Sequence, residues 1–133
     1  MTNDQLVIGI DLGGTKIAGA LVTRQGDVLA TTRRATEPAR GSEAVLDNLA
    51  ASIGQLLAQA ETPVAGVGIG CPGLIDPVSG TVRKATNLGW YNLPLLAGLR
   101  TRLGLDLPIY LQRDTVAGLL GEVAFGAGQG CRD

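Results

Sequence analysis

The sequence contains no histidine, and its two cysteines, Cys71 and Cys131, lie far apart along the chain. Without histidine, neither the usual His-containing zinc sites nor a Ser-His-Asp triad can be built inside this chain. Two isolated cysteines are typical of reduced thiols in a cytoplasmic protein. Because no histidine is present to activate Cys71, we do not expect that thiol to act as a nucleophile.

Clusters of one charge are also missing, since the formal net charge is −1 and no block of Lys and Arg occurs. This argues against a surface for nucleic acid or anionic membrane. No apolar stretch approaches the roughly 20 residues that span a bilayer. The first residues, Met1 to Gln5, lack the basic and apolar pattern of a secretory signal. These absences predict a soluble cytoplasmic protein with neither nucleic-acid nor membrane partners.

The sequence does have enough apolar residues for a core, at 45% of its 133 residues, with only 3% aromatic. Its length suits a single domain, and its core must be built from Val, Ile, Leu and Ala. Apolar runs, helical periodicity and turn residues predict five strands and three helices. The strands are Leu6 to Leu12, Lys16 to Val22, Val28 to Ala35, Val64 to Ile69 and Leu107 to Leu111. The first helix is capped by Ser42 and ended by Thr62-Pro63, and the other two run from Leu93 to Leu103 and from Asp114 to Phe125.

The predicted order is β-β-β-α-β-α-β-α, with an irregular excursion and room for a small hairpin between Cys71 and Gly80. A meander followed by βα units predicts an α/β fold, a mixed five-stranded sheet with helices on both faces. This order resembles the ribonuclease-H-like lobe of actin-like ATPases and sugar kinases. Order alone establishes no function.

The clearest chemical signal is the segment Asp11-Leu-Gly-Gly-Thr-Lys16, which falls between two predicted strands. Glycines at 13 and 14 let the backbone turn tightly and direct N–H groups at an anion. Thr15 adds a hydroxyl and Lys16 a positive charge, and Asp11 is suited to hold Mg²⁺ through water. The alternative is an ordinary glycine hairpin. The segment is neither a Walker loop nor a dinucleotide-binding fingerprint.

Several segments together make the chain resemble the ROK family, which includes bacterial sugar kinases and sugar-responsive repressors. The resemblance begins with the residues from Val7 to Leu21. It continues in the family's order through Gly68-Ile-Gly-Cys-Pro-Gly73, Ala85-Thr-Asn-Leu-Gly-Trp90, Arg113-Asp114 followed by Gly121-Glu122, and Gly126-Ala-Gly128. These segments span almost the whole chain.

The resemblance implies a role for several residues. Asp114, where the last predicted strand gives way to a helix, matches the catalytic aspartate, which accepts the proton as a sugar hydroxyl attacks the γ-phosphate of ATP. Asn87 matches a residue that hydrogen-bonds sugar hydroxyls, and Gly73 the turn beside the sugar. Other interpretations remain: Asp114 as a helix N-cap, Asn87 as a turn residue, and Trp90 as either pocket wall or core.

Two features depart from the family pattern. Family kinases usually have Asn-Asp-Ala-Asn around the catalytic aspartate, whereas this chain has Arg113-Asp114-Thr115-Val116. Arg113 replaces an Asn that touches the sugar, so the identity of the substrate is open. The family's second lobe, with its other phosphate loop, adenine site and structural zinc site, has no counterpart among these residues. We therefore expect residues 1–133 to be the amino-terminal lobe alone.

The resemblance implies ATP-dependent phosphorylation of a hexose or an N-acetylhexosamine by a two-lobe, glucokinase-like protein with ATP and Mg²⁺ as cofactors. The short stretch before Asp11 favours the kinases over the repressors, which carry a DNA-binding segment there. The alternative is a non-catalytic sugar-binding or regulatory module. An acyl-CoA dehydratase activator would need iron–sulfur cysteines, and Cys71 and Cys131 are not spaced for them. The sequence leaves open whether the lobe is a monomer or a homo-oligomer.

Overall fold

A computed structural model describes residues 5–104 and 106–112 of the chain. Its regular elements follow the predicted order as far as they extend, with additional short strands in the middle. The strands are β1 (Leu6–Leu12), β2 (Lys16–Thr23), β3 (Val28–Ala35), β4 (Val64–Gly70), β5 (Leu74–Asp76), β6 (Thr81–Ala85), β7 (Trp90–Leu93) and β8 (Ile109–Gln112); the helices are α1 (Ser42–Gln59) and α2 (Leu95–Leu103), with 3₁₀ turns at Pro38–Arg40 and Thr86–Leu88.

The main sheet has five strands in the order β3-β2-β1-β4-β8. The strands β1, β2 and β3 form an antiparallel meander, whereas β4 pairs in parallel with both β1 and β8. The predicted mixed five-stranded sheet is therefore confirmed. The strand β1 lies at its centre, so the residues at the end of β1 are held by neighbours on both sides.

The core is almost entirely aliphatic, as the composition predicts. All residues of β1 except Asp11 are buried, and its alternate residues Leu6, Ile8, Ile10 and Leu12 share one face of the sheet. They belong to one hydrophobic cluster with the buried face of α1, which contacts β1, β2 and β3. The α1 members of that cluster are Val45, Leu46, Leu49, Ile53 and Leu56.

The start of α1 differs from the prediction. The N-cap is Gly41, not Ser42, because the carbonyl of Gly41 accepts the first helical hydrogen bond from the Val45 N–H at 3.2 Å. Gly41 has φ 102°, which leads out of the 3₁₀ turn Pro38–Arg40 and suits glycine. Glu43 lies in the first turn, where its negative charge suits the positive end of the helix.

The two helices are linked by Arg102 of α2. Its Nε donates to Asp47 of α1 at 2.7 Å, and its Nη2 pairs with Glu43. Both carboxylates are largely exposed, so each pair contributes only modestly to stability. The prediction that helices cover both faces of the sheet depends on residues 114–125, which lie outside the described residues. Neither α1 nor α2 is both long and apolar enough to cross a membrane.

The excursion after β4 forms a second sheet, of order β5-β6-β7. Its first turn is organised by Asp76, whose carboxylate accepts from the Val78 N–H at 3.1 Å and the Ser79 N–H at 3.4 Å. Hydrogen bonds from Ser79 and Val78, together with the charge of Arg83, hold the pKa of Asp76 below its usual value. The predicted hairpin is present, and β7 extends it.

Candidate active site

Three neighbouring strands of the main sheet end at one edge. Asp11 of β1 is in register with Gly70 of β4, and Gly70 is in register with Gln112 of β8. The Cys71 N–H donates to the Gln112 carbonyl at 2.9 Å, which ties the ends of β4 and β8 together. Adjacent strands lie about 4.8 Å apart, so Asp11 and Gln112 are roughly 10 Å apart across this edge.

The loop between β1 and β2 lies at the same edge. The Gly13 N–H donates to the Lys16 carbonyl at 3.0 Å and closes the hairpin, so it is not available to a ligand. In contrast, no hydrogen bond of the described residues uses the N–H of Gly14 or of Thr15. Two successive unpaired N–H groups in a turn are suited to bind an anion.

Glycine is needed in this loop for space rather than for an unusual backbone. Neither Gly13 nor Gly14 has a positive φ. A Cβ on Gly13 would lie 3.1 Å from the Lys16 carbonyl oxygen, and one on Gly14 would lie 3.1 Å from the Cβ of Asn87. Both distances are tighter than ordinary van der Waals contact. The two glycines therefore allow the loop to pack closely against the Lys16 carbonyl and Asn87.

The contact between Gly14 and Asn87 brings together two residues that the sequence separates widely. Asn87 lies in the 3₁₀ turn Thr86–Leu88, which ends at Gly89 with φ 69°. Its side chain is exposed beside the loop. The structure thus places the predicted sugar-binding Asn against the predicted phosphate-binding loop.

Gly73 packs against the end of β6, the strand that leads into the Asn87 turn. It has φ 96°, and a Cβ there would lie 2.1 Å from the Lys84 carbonyl oxygen and 3.1 Å from the Ala85 Cα. Ala85 is the last residue of β6 and leads directly into the turn that holds Asn87. Gly73 therefore supports the position of the Asn87 turn, and only a residue without a side chain fits there.

The polar side chains of the loop are open to solvent. Asp11, Thr15 and Lys16 are all exposed. Asp11 is the one carboxylate in the segment, and no group of three or more His, Cys, Asp or Glu side chains suited to a metal occurs in the structurally described ranges. A lone carboxylate of this kind fits a magnesium ion that keeps most of its waters and is shared with phosphate.

Two further residues are placed by the structure. Trp90 is only 3% exposed and belongs to the hydrophobic cluster, so it is a core residue rather than an open pocket wall. Arg113 and Asp114 lie outside the described residues, and their predicted roles stay predictions. The chain reaches Asp114 two residues after Gln112, whose register with Gly70 is described above.

One residue that the sequence analysis missed supports the loop from behind. Thr36, which follows β3, is fully buried; its hydroxyl donates to the Gly13 carbonyl at 2.8 Å and its N–H donates to the Thr15 carbonyl at 2.9 Å. A single threonine before Glu37-Pro38 carries no spacing signal, so only the fold could reveal it.

A cavity of about 470 Å³ lies at the opposite end of the strands, where β1 begins and β2 ends. It contains none of the predicted site residues. Its lining residues are Leu6, Thr23, Gln25, Leu29, Gln59, Glu61 and Thr62.

Cys71 is unsuited to nucleophilic chemistry. It is 1% exposed, and burial raises the pKa of its thiol to about 12. Its Sγ lies 3.5 Å from the Pro72 carbonyl, which it can reach as a weak donor. The thiol is therefore neutral at physiological pH, in agreement with the sequence-based expectation.

We expect Cys71 to resist iodoacetamide at pH 8 in the native protein and to react once the protein is unfolded in urea, with peptide mapping by mass spectrometry as the measurement. Since the unfolded thiol ionises above about pH 9 and the folded thiol near 12, the free energy of unfolding should fall as pH rises through this window. Cys71→Ala should remove that part of the pH dependence. Rapid labelling of Cys71 in the native protein would contradict the prediction.

Comparison with known proteins identifies the family of this chain. The model of the ROK family matches residues 7–133. The chain belongs to the ROK family. It is 40% identical over 125 residues to a glucokinase from Thermotoga maritima, covering 93% of this chain and 38% of that protein. It is also 37% identical over 123 residues to a xylose repressor from Caldicellulosiruptor bescii, covering 90% of this chain and 30% of the repressor.

Among solved structures, the ROK chain is similar to a ROK family glucokinase from Streptomyces griseus in complex with glucose and AMPPNP. The TM-score is 0.74 at 38% identity, covering 94% of this chain and 38% of that one. This structural neighbour confirms the fold class. The chain spans 38% of the length of the Thermotoga glucokinase, so it corresponds to only part of that protein.

Proposed function

We propose that the ROK chain forms the amino-terminal lobe of an ATP-dependent kinase that phosphorylates a hydroxyl of a hexose or an N-acetylhexosamine. The observation that carries this proposal is the contact of Gly14 with Asn87, since a Cβ on Gly14 would lie 3.1 Å from that of Asn87. A loop with unpaired N–H groups and an amide suited to hydroxyls lie side by side. Phosphoryl transfer to an alcohol needs this pairing of an anion site with an alcohol site.

The loop would bind the terminal phosphates of ATP. The N–H groups of Gly14 and Thr15 supply hydrogen bonds, and the exposed Lys16 supplies positive charge. Asp11 would hold Mg²⁺ through water at the end of β1. When bound, this ion neutralises charge that develops on the transferred phosphoryl group.

The sugar would lie between the Asn87 turn and the end of β8. Asn87 can donate to one hydroxyl and accept from another. Gly73 keeps the turn in place, and Arg113 would contact the sugar or an acidic group on it. Asp114 would take the proton from the attacking hydroxyl oxygen as that oxygen bonds to the γ-phosphorus, while the bond from the γ-phosphorus to the β,γ-bridging oxygen breaks and ADP leaves. The relatives named glucokinase support this assignment and make glucose the first sugar to test.

Because one lobe forms only one wall of a cleft, we expect residues 1–133 alone to bind substrates weakly and turn over slowly. The decisive test is an ADP-release assay on the protein together with its second lobe. A panel of glucose, mannose, N-acetylglucosamine and N-acetylmannosamine covers the proposed class. Phosphorylation of at least one sugar is the expected result, and no turnover with any of them would count against a kinase.

A second candidate is a non-catalytic sugar-binding or regulatory module. It is favoured by the xylose repressor relative and by Arg113 in place of the family's usual Asn. Trp90 is the single tryptophan of the chain and lies just past the Asn87 turn, so its fluorescence should report sugar binding. Sugar binding in the two-lobe protein, without any turnover in the presence of Mg²⁺ and ATP, would favour the module.

A further inference from the structure

A buried threonine, Thr36, holds the loop between β1 and β2 from the protein interior. Thr36 is 0% exposed, and both of its donors are used on the same short loop. Its hydroxyl reaches the Gly13 carbonyl at 2.8 Å, and its N–H reaches the Thr15 carbonyl at 2.9 Å. The carbonyls of Gly13 and Thr15 are therefore directed towards the protein interior.

Peptide planarity gives this contact a consequence for the opposite side of the loop. The carbonyl of Gly13 and the N–H of Gly14 belong to the same peptide group, and in a trans peptide they point in opposite directions. Because the hydroxyl of Thr36 holds the Gly13 carbonyl inward, the Gly14 N–H must point away from Thr36. No cis peptide occurs among the described bonds.

Thr36 is itself held in place by α1. The side-chain amide of Asn48 donates to the carbonyls of Ala35 and Thr36, each at 3.3 Å. Ser52, one turn further along α1, donates to the Asn48 carbonyl at 3.1 Å. A continuous set of hydrogen bonds thus runs from a rigid helix to the loop, which is what positioning of a binding group requires.

We propose that Thr36 is a positioning residue for the nucleotide: its hydroxyl fixes the peptide between Gly13 and Gly14 so that the Gly14 N–H faces the terminal phosphate. This inference deepens the proposed function and rests on it. Thr36 itself does not touch the substrate. Its loss should weaken nucleotide binding and leave the sugar side of the cleft largely unchanged.

The test compares Thr36→Val, which keeps the side-chain shape without the hydroxyl, with Thr36→Ser, which keeps the hydroxyl. The two-lobe protein is the sample. We expect Thr36→Val to raise KM for ATP about tenfold with little change in the Kd for sugar. Thr36→Ser should stay within about twofold of the natural protein in both quantities.

Thr32→Val provides a matched control from β3, the strand that leads into Thr36. Thr32 is also buried, at 7% exposed, but its hydroxyl has no hydrogen-bond partner among the described residues. Removing that hydroxyl breaks no bond, so KM for ATP should not change. An equal effect of Thr32→Val and Thr36→Val on KM would indicate a general packing defect and overturn the inference.

Amide hydrogen exchange separates failure of this inference from failure of the proposed function. Mg²⁺ and AMPPNP should slow exchange in the loop peptide containing Gly14 and Thr15 in the natural protein and in Thr36→Ser, but not in Thr36→Val. This readout needs no phosphoryl transfer, so protection without turnover would contradict the kinase alone. Equal protection in Thr36→Val, or no protection in the natural protein, would overturn the role of Thr36.

Discussion

Replacing Asp114 by Asn is expected to lower kcat for sugar phosphorylation by about 10²–10⁴ in the two-lobe protein, since this is the usual contribution of a positioned general base. An amide has nearly the size of the carboxyl group but cannot accept the hydroxyl proton. The Kd for sugar should change much less, because the amide still hydrogen-bonds to a hydroxyl. The measurement is steady-state ADP release together with sugar titration.

Asp106→Asn is a suitable control for this change. Asp106 is an exposed aspartate shortly before β8, away from the edge that carries the loop. It should leave kcat unchanged. If Asp114→Asn retained kcat within about threefold of the natural value, Asp114 would not be the base, and another group would have to accept the hydroxyl proton.

Gly73→Ala is expected to give the largest loss of stability, about 2–4 kcal/mol. The residue has φ 96°, and a Cβ would lie 2.1 Å from the Lys84 carbonyl oxygen. That atom belongs to the backbone of β6, so it cannot move aside as the end of a flexible side chain could. The second sheet would have to shift, and the Asn87 turn with it.

Gly89→Ala separates the steric clash from the cost of the backbone conformation. Gly89 has φ 69°, but a Cβ there would meet nothing within 4 Å. Its replacement should cost only about 1 kcal/mol. Urea denaturation followed by Trp90 fluorescence measures both variants. Equal losses for the two replacements would show that the contact with Lys84 carries no extra cost.

The elements that the sequence predicts well are those whose signals are local. The limits of β1 and β3 match the prediction, because short β-branched runs end at Gly13 and in the segment before Pro38. The helix α2 begins at Leu95 and not at the predicted Leu93, since Pro94 disfavours a helical conformation at the residue before it. Similarly, β8 begins at Ile109 because Pro108 has no N–H to pair.

The elements that were missed depend on distant partners. The strand β7, with the sequence Trp-Tyr-Asn-Leu, has no clear alternation and forms by pairing with β6. In the site, the resemblance selected Gly14 and Asn87 separately, but their contact depends on the fold. Thr36 gives no sequence signal because its role comes from hydrogen bonds to the Gly13 and Thr15 carbonyls, more than twenty positions earlier.

The central position of β1 also has a consequence for how the chain folds during synthesis. The meander of β1, β2 and β3 can form from neighbouring residues, but the other side of β1 pairs with β4, which is made only after the whole of α1. Until then, the nascent chain presents an apolar strand with an open edge, a template for intermolecular association. Early docking of α1 onto the meander would bury the apolar face of β1, and only the arrival of β4 would close that edge.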